Sequence, residues 1–375
     1  MTASTTPTSP SIRDHRHGAE VEALVHATMA RHHIPGMSIA VTGPEHSYFA
    51  AGFGLADLAG QRPAMASTQY LWFSLTKIAT ATAAMHLFDL GELDLDQPVA
   101  DFVPEYRSGV PGAPTVRQLL NHTAGVANPI PVRWVRPADQ PAPAPHEFLE
   151  GLLRRYGTPK HPVGGAARYS NLGYLMLAEV IAQVAGRPFT ELVVDSVLRP
   201  LGMEHTGFAQ PPAEDAAVGY VRSPKVARPL LRLLLPDGIV GEQVGRYTSF
   251  APFLVNGAGY GGLVGTVTDA ARLAAMHLAD GTLDGHTILR PETARTMRTV
   301  SAPGTPFDVG LGWFRKPAAR GTTAVEHLGA GGGFFNAMRI YPDLGLGIVA
   351  MANTTRAWDN ASLFDSLAQL DWSER

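Results

Sequence analysis

Apolar residues recur at helical spacing near the start of the chain. Val21, Leu24, Val25 and Met29 share one face between Glu20 and His32, and Gly36 interrupts the pattern before the apolar run Met37 to Val41. The pattern predicts helix, turn, strand. A second strand is expected over Tyr48 to Gly54, and after a Pro-containing loop Ser74 to Leu90 reads as an Ala-rich helix stopped by Gly91. Proline and glycine crowd residues 104–114 and 137–145, which marks loops. Helical patterns return at Leu172 to Ala185 and at Thr268 to Asp280, where Thr268 or Asp269 is placed to cap. The last third reads as antiparallel strands over 310–314, 324–329, 334–342 and 345–353, joined by Gly, Pro and Asp turns.

Strands at both chain ends with helices between predict an α/β protein. Its antiparallel sheet is flanked by helices and closed by the two termini, and a mostly α-helical lobe is inserted in the middle. The expected division is a disordered tail at 1–18, a discontinuous α/β domain from 19–85 plus 258–375, and the inserted domain at 86–257. No internal repeat is visible.

Composition narrows the function classes. The chain has 375 residues, 45% of them hydrophobic and 17% charged, enough for a two-lobed unit with a cleft. A net charge of −3 gives no overall footprint for nucleic acid or an anionic membrane, so a small molecule or peptide is the expected partner. The absence of cysteine excludes disulfides, thiolate metal sites and a cysteine nucleophile. The polar, Ser-, Thr- and Pro-rich start lacks the apolar core of a secretory signal, and no run is long enough to span a membrane, which gives the expectation of a cytoplasmic protein.

Candidate chemistry enters with lysine, which occurs only at positions 77, 160, 225 and 316. With 16 serines in the chain, random placement yields about 0.2 Ser-x-x-Lys matches. The single match is Ser74-Leu75-Thr76-Lys77, at the expected start of a helix, where a three-residue spacing puts both side chains on one face. A serine hydroxyl is a weak nucleophile until a base takes its proton, and lysine serves only when burial or nearby cations lower its pKa. Leu71, Trp72, Phe73 and Ile78 supply apolar surroundings. The motif alone leaves two readings open: a nucleophile with its base, or a capping serine beside a solvated lysine.

The text around this motif resembles the β-lactamase-related serine hydrolases, a group of class C β-lactamases, D-peptidases, carboxypeptidases and esterases. The likeness lies in 68–99, 114–126, 168–193, 198–208, 261–273 and 327–353, in the expected order, and so runs from about residue 20 to 353. The resemblance implies a β-lactamase-like fold and an acyl-enzyme on Ser74, with Lys77 as base. Tyr169-Ser170-Asn171 matches the Tyr-x-Asn motif, whose tyrosine would relay a proton to the leaving group and whose asparagine would orient Lys77 and the substrate. His327-Leu328-Gly329 matches the third motif, on what reads as an edge strand. The family pattern places His327 and Gly329 at the substrate and the two oxyanion donors at the backbone N–H groups of Ser74 and Ala330.

Classical β-lactamases carry lysine where this chain has His327. A histidine mostly neutral at pH 7 binds a carboxylate less firmly. The resemblance therefore favours an esterase or transacylase acting on an ester or amide of a small molecule or peptide. The alternatives are a D-amino-acid peptidase, a carboxypeptidase or weak β-lactamase, and a catalytically silent binding homologue. The acyl group, the acceptor and the oligomeric state stay open.

Other signals are set aside. Gly36 to Ala40 resembles a nucleophile elbow but lacks the final glycine. The run from Gly257 to Gly262 fits a dinucleotide fingerprint without a βαβ unit around it, and reads better as a glycine-rich active-site loop. His15, His17, His32 and His33 lack partnering acids at ligand spacing, so neither metal nor cofactor is expected. His122 reads as structural, and the run 229–236 as a packed helix rather than a lid.

Overall fold

Helix α1 (Gly18–His32) buries Val21, Val25 and Met29, the face its spacing predicts. Strands β1 (Gly36–Thr42) and β2 (Ser47–Asp57) pair antiparallel, and β3 (Arg62–Pro63) adds to β2. The segment expected to start helical at Ser74 begins as a 3-10 turn over Phe73–Leu75 and becomes helix α2 (Thr76–Asp89). Every residue of α2 except His86 and Phe88 is buried, which suits an Ala-rich helix that is apolar on all sides. Helix α3 (Asn171–Ala185) starts at Ser170, whose hydroxyl accepts from Gly173 N at 3.0 Å.

The inserted stretch is mostly helical, as expected, and also carries a small sheet that no pattern announced. Strand β4 (Tyr220–Arg222), helix α4 (Arg228–Leu234), β5 (Val240–Val244) and β6 (Tyr247–Phe250) follow one another, and the strands form a sheet in the order β4-β6-β5. These strands are short and half exposed, so they lack the apolar density that marks a core strand. Helix α5 (Val267–Leu278) is capped by Thr266, which accepts from Asp269 N at 3.1 Å, not by Thr268 or Asp269. Strands β7 (Phe314–Pro317), β8 (Thr323–Gly331), β9 (Phe334–Tyr341) and β10 (Leu346–Ala352) precede helix α6 (Asn360–Leu367). The strand expected at 310–314 starts only at its last residue, because Gly312 takes a left-handed φ of 85° and turns the chain.

The main sheet runs β7-β8-β9-β10-β1-β2-β3, antiparallel throughout. Its closure by β1 against β10, from Met37↔Ala352 to Thr42↔Gly347, joins the two ends of the chain as expected. Helices α1 and α6 cover one face and α5 the other, so β1, β9 and β10 are buried at every residue. The core under α5 continues through α2 and α3 into the inserted stretch, and the division expected after residue 85 passes through α2.

This computed structural model describes residues 16–106, 113–317 and 321–372. Most of the expected tail and of the loop at 104–114 lies outside the described residues. Gly18, assigned to the tail by sequence, begins α1.

Candidate active site

The turn before α2 shapes the site. Phe73 has φ of 47°, a left-handed backbone that costs a bulky residue about 1–2 kcal/mol. Its ring packs against Phe253 and Phe334 and lies under Gly331, where a Cβ would come within 2.1 Å of it. The turn leaves Ser74 half-buried at the head of α2, one helical turn before the fully buried Lys77.

Three oxygens surround the Lys77 amine: Ser74 Oγ at 3.0 Å, Asn171 Oδ1 at 2.8 Å and the Tyr260 carbonyl at 2.8 Å. No carboxylate takes part. Burial therefore holds the amine well below its ordinary pKa. A neutral amine fits this cage, since its two N–H groups satisfy the two pure acceptors and its lone pair faces the Ser74 hydroxyl. Tyr169 donates its hydroxyl to Ser74 Oγ at 2.6 Å, and burial raises its pKa despite that bond. Both shifts favour uncharged groups, a phenol and an amine on either side of one serine. The arrangement can pass the Ser74 proton to Lys77, and Tyr169 can pass one onward.

Strand β8 forms the opposite wall. Strand β7 pairs only with Thr323–Glu326, so His327–Gly331 lies beyond its end and faces the Phe73–Leu75 turn. The edge expected at His327 thus exists, although β8 is not the outermost strand. His327 is buried beneath Phe314, with ring centroids 4.5 Å apart. Its Nδ1 lies 2.8 Å from the Leu328 carbonyl, which assigns the proton to Nδ1. Its Nε2 is buried and has no protein partner. Burial lowers its pKa to about 3.

Gly329 is buried against Trp72, whose carbonyl oxygen would lie 2.0 Å from a Cβ there. Its bare backbone lets the strand approach the nucleophile turn. Ala330 is exposed beside it.

Further residues complete the cluster, among them His122, which the sequence reads as structural. His122, at φ of 59°, accepts from Ser170 N through Nδ1 at 3.2 Å and packs on Tyr169 and Tyr174, so it positions the Tyr169 segment. Asn121 Oδ1 accepts from Thr123 Oγ1 at 2.7 Å and fixes the turn. Asn128 Oδ1 accepts from Asn171 N at 3.1 Å, and no motif marked it. Tyr260 belongs to the glycine run 257–262, which lies against the site as expected, but it acts through a carbonyl that no side-chain pattern encodes. An apolar cavity of about 180 Å³ lies between Leu71, Phe250, Phe253 and Phe334, and none of the polar site residues lines it. No cluster of three His, Asp or Glu side chains that could hold a metal occurs among the described residues, and His15 lies outside them.

A serine, a lysine and a tyrosine drawn from two lobes, with a strand edge opposite, are the marks of one serine hydrolase class. The family model described as Beta-lactamase matches residues 21–371, and the chain belongs to that family of serine hydrolases. Penicillin-binding protein 4 of Amycolatopsis lactamdurans is 30% identical over 356 residues, covering 90% of this chain and 84% of the relative. Protein flp of Staphylococcus aureus (strain COL) is 27% identical over 224 residues, 57% of this chain, and the match spans only 44% of that protein. Among solved structures, the octameric penicillin-binding protein homologue from Pyrococcus abyssi superposes with a TM-score of 0.77 at 24% identity, covering 94% of this chain and 76% of that one. EstCE1, described as a hydrolase with promiscuous acyltransferase activity, gives 0.70 at 23% identity, with 93% and 96% covered. The D-amino acid amidase from Ochrobactrum anthropi SV3 gives 0.74 at 22%, with 94% and 95% covered. These likenesses, all under 25% identical, establish the fold.

Proposed function

We propose that the protein forms an acyl-enzyme on Ser74 from a neutral ester or amide of a small molecule or peptide, and releases it to water or to another nucleophile. The cage of Lys77 carries this reading: a buried amine with no carboxylate partner, its third direction taken by a serine hydroxyl. Lys77 takes the Ser74 proton as Oγ attacks the carbonyl, and the backbone N–H groups of Ser74 and Ala330 bind the developing oxyanion. Tyr169 donates a proton to the leaving group and is reprotonated from the Lys77 ammonium. Asn171 holds Lys77 in place.

His327 favours esterase or transacylase chemistry over the recognition of peptide C-termini. Buried and neutral, it offers no cation to a substrate carboxylate. The esterase and the amidase of this fold keep a D-amino-acid amide in view as the second reading, since an amide also lacks that carboxylate. Turnover of p-nitrophenyl butyrate by wild type and Ser74→Ala, with intact-mass detection of the adduct, tests the proposal. Activity and adduct should both vanish in the variant. Equal rates, or no adduct in wild type, would move the chemistry elsewhere, while turnover of nitrocefin or D-alanyl peptides in preference to esters would reverse the substrate assignment.

A further inference from the structure

Helix α4 was expected to pack, and it does not. No residue from Lys225 to Leu234 is buried, and Val226, Leu230, Leu233 and Leu234 are 84%, 58%, 73% and 50% exposed. Ile130 and Val132, on the adjoining loop, are 81% and 41% exposed, and Arg133 of that loop donates to the Leu233 carbonyl at 3.4 Å. Of ten exposed large apolar side chains among the described residues, six thus lie on these two neighbouring segments. A helix this short is marginal without a buried face, so apolar residues concentrated there point to a surface that covers them.

Charge selects the surface. Arg222, Lys225, Arg228 and Arg232 fall within this stretch, and no acid occurs between residues 222 and 236. Arg228 is bound to the Gly241 carbonyl and lies 3.5 Å from Glu242, whereas Arg222, Lys225 and Arg232 are exposed. A second copy docked face to face would set one row of cations against another. An anionic lipid surface instead takes leucines among its acyl chains and cations at its headgroups.

We propose that α4, its flanking cations and the tip of the 128–133 loop dock on an anionic membrane surface. The net charge of −3, summed over the chain, conceals this local run and led to the opposite expectation. No helix among the described residues is long and apolar enough to cross a membrane, so the contact is peripheral. The same loop carries Asn128, bonded to Asn171, so docking brings the lipid surface to the rim of the candidate site. The proposal holds whether or not Ser74 is the nucleophile.

Co-sedimentation of the full chain with vesicles of phosphatidylcholine alone, or mixed with phosphatidylglycerol, tests it. Two double variants, Leu230→Asp with Leu233→Asp and Lys225→Glu with Arg232→Glu, are compared by sedimentation, thermal unfolding and light scattering. Wild type should bind the mixed vesicles and be released by salt. Each double variant should bind about tenfold less or weaker still, with an unchanged unfolding midpoint. Absence of wild-type binding, or equal binding by the variants, overturns the proposal. So does a leucine variant that only converts an oligomer to monomers, which would assign the face to self-association.

Discussion

Lys77 and Tyr169 both approach Ser74 Oγ, and either could in principle act as its base. The proposed mechanism gives that role to Lys77, because burial penalises the charged form of each: it lowers the lysine and raises the tyrosine. The resting proton therefore sits on the phenol, and a phenolate arises only after Lys77 has become an ammonium. kcat/KM for p-nitrophenyl butyrate should accordingly fall on the acid side as Lys77 takes up a proton. Lys77→Arg, charged at every accessible pH, should lose about 10³-fold or more across the whole profile. A wild-type profile without an acid limb would remove the amine from the mechanism. Tyr169→Phe should lower kcat by about 10²- to 10⁴-fold, the usual reach of a positioned proton donor, and an unaffected rate would assign the tyrosine to packing. Ser74 and Lys77 were legible as candidates from their spacing, and Tyr169 and Asn171 only through the family resemblance, because in both cases side-chain identity defines the motif. The Tyr260 carbonyl was not, since every residue has one, and Asn128 reaches Asn171 only through the folding of a loop.

The wall of the site is a strand, and its position depends on a buried ion pair. Glu326 and Arg339 lie directly opposite each other on β8 and β9, with Nε and Nη2 donating to Glu326 Oε2 at 2.8 and 2.6 Å. Arg339 Nη1 donates to Asp365 at 2.9 Å, and Asn360 to Glu326 at 2.8 Å, so the same pair ties α6 to the sheet one residue before His327. Glu326→Gln leaves the guanidinium buried with half its compensation and should cost about 3 kcal/mol, read from urea unfolding; a loss below about 1 kcal/mol would mean that Asp365 suffices. At the head of α5, Thr266→Ala should cost about 1 kcal/mol by removing the cap and Thr268→Ala less, and the reverse order would return the cap to the position first expected from sequence. Both elements show what patterning conveys. The apolar period located α5 to within two residues, but Thr266, Thr268 and Asp269, three cap-competent residues within four positions, cannot be ranked without knowing which residue is extended. Likewise, the leucines of α4 announce an apolar helix, but whether it has a partner is a property of the fold.

Three buried histidines link the whole molecule to pH. His122 lies in the inserted lobe, His277 on α5 and His327 on β8, and each is neutral because burial disfavours its imidazolium. For His277 and His327 burial lowers the folded pKa to about 3, against an ordinary value of 6.5. Well above pH 6.5 neither folded nor unfolded chain binds these protons, and the groups contribute nothing to the pH dependence. As the pH falls through that value the unfolded chain takes up protons that the folded one refuses, so stability is lost progressively until the folded groups titrate. Each histidine contributes a slope approaching about 1.4 kcal/mol per pH unit. Asp269 opposes this with the reverse sign, since burial raises its pKa and the folded chain holds its proton longer, but it is one group against three. The core that runs from the sheet through α2 and α3 into the inserted lobe makes the loss a property of both lobes together. Urea unfolding between pH 7 and pH 4.5 should therefore show stability falling with pH. His277→Gln, which can keep the bond to Thr82 while removing one titrating group, should flatten the slope by about one proton's worth. An unchanged slope in that variant would mean that His277 is not among the groups charged on unfolding, and would leave the acid sensitivity to the histidines beside Ser74.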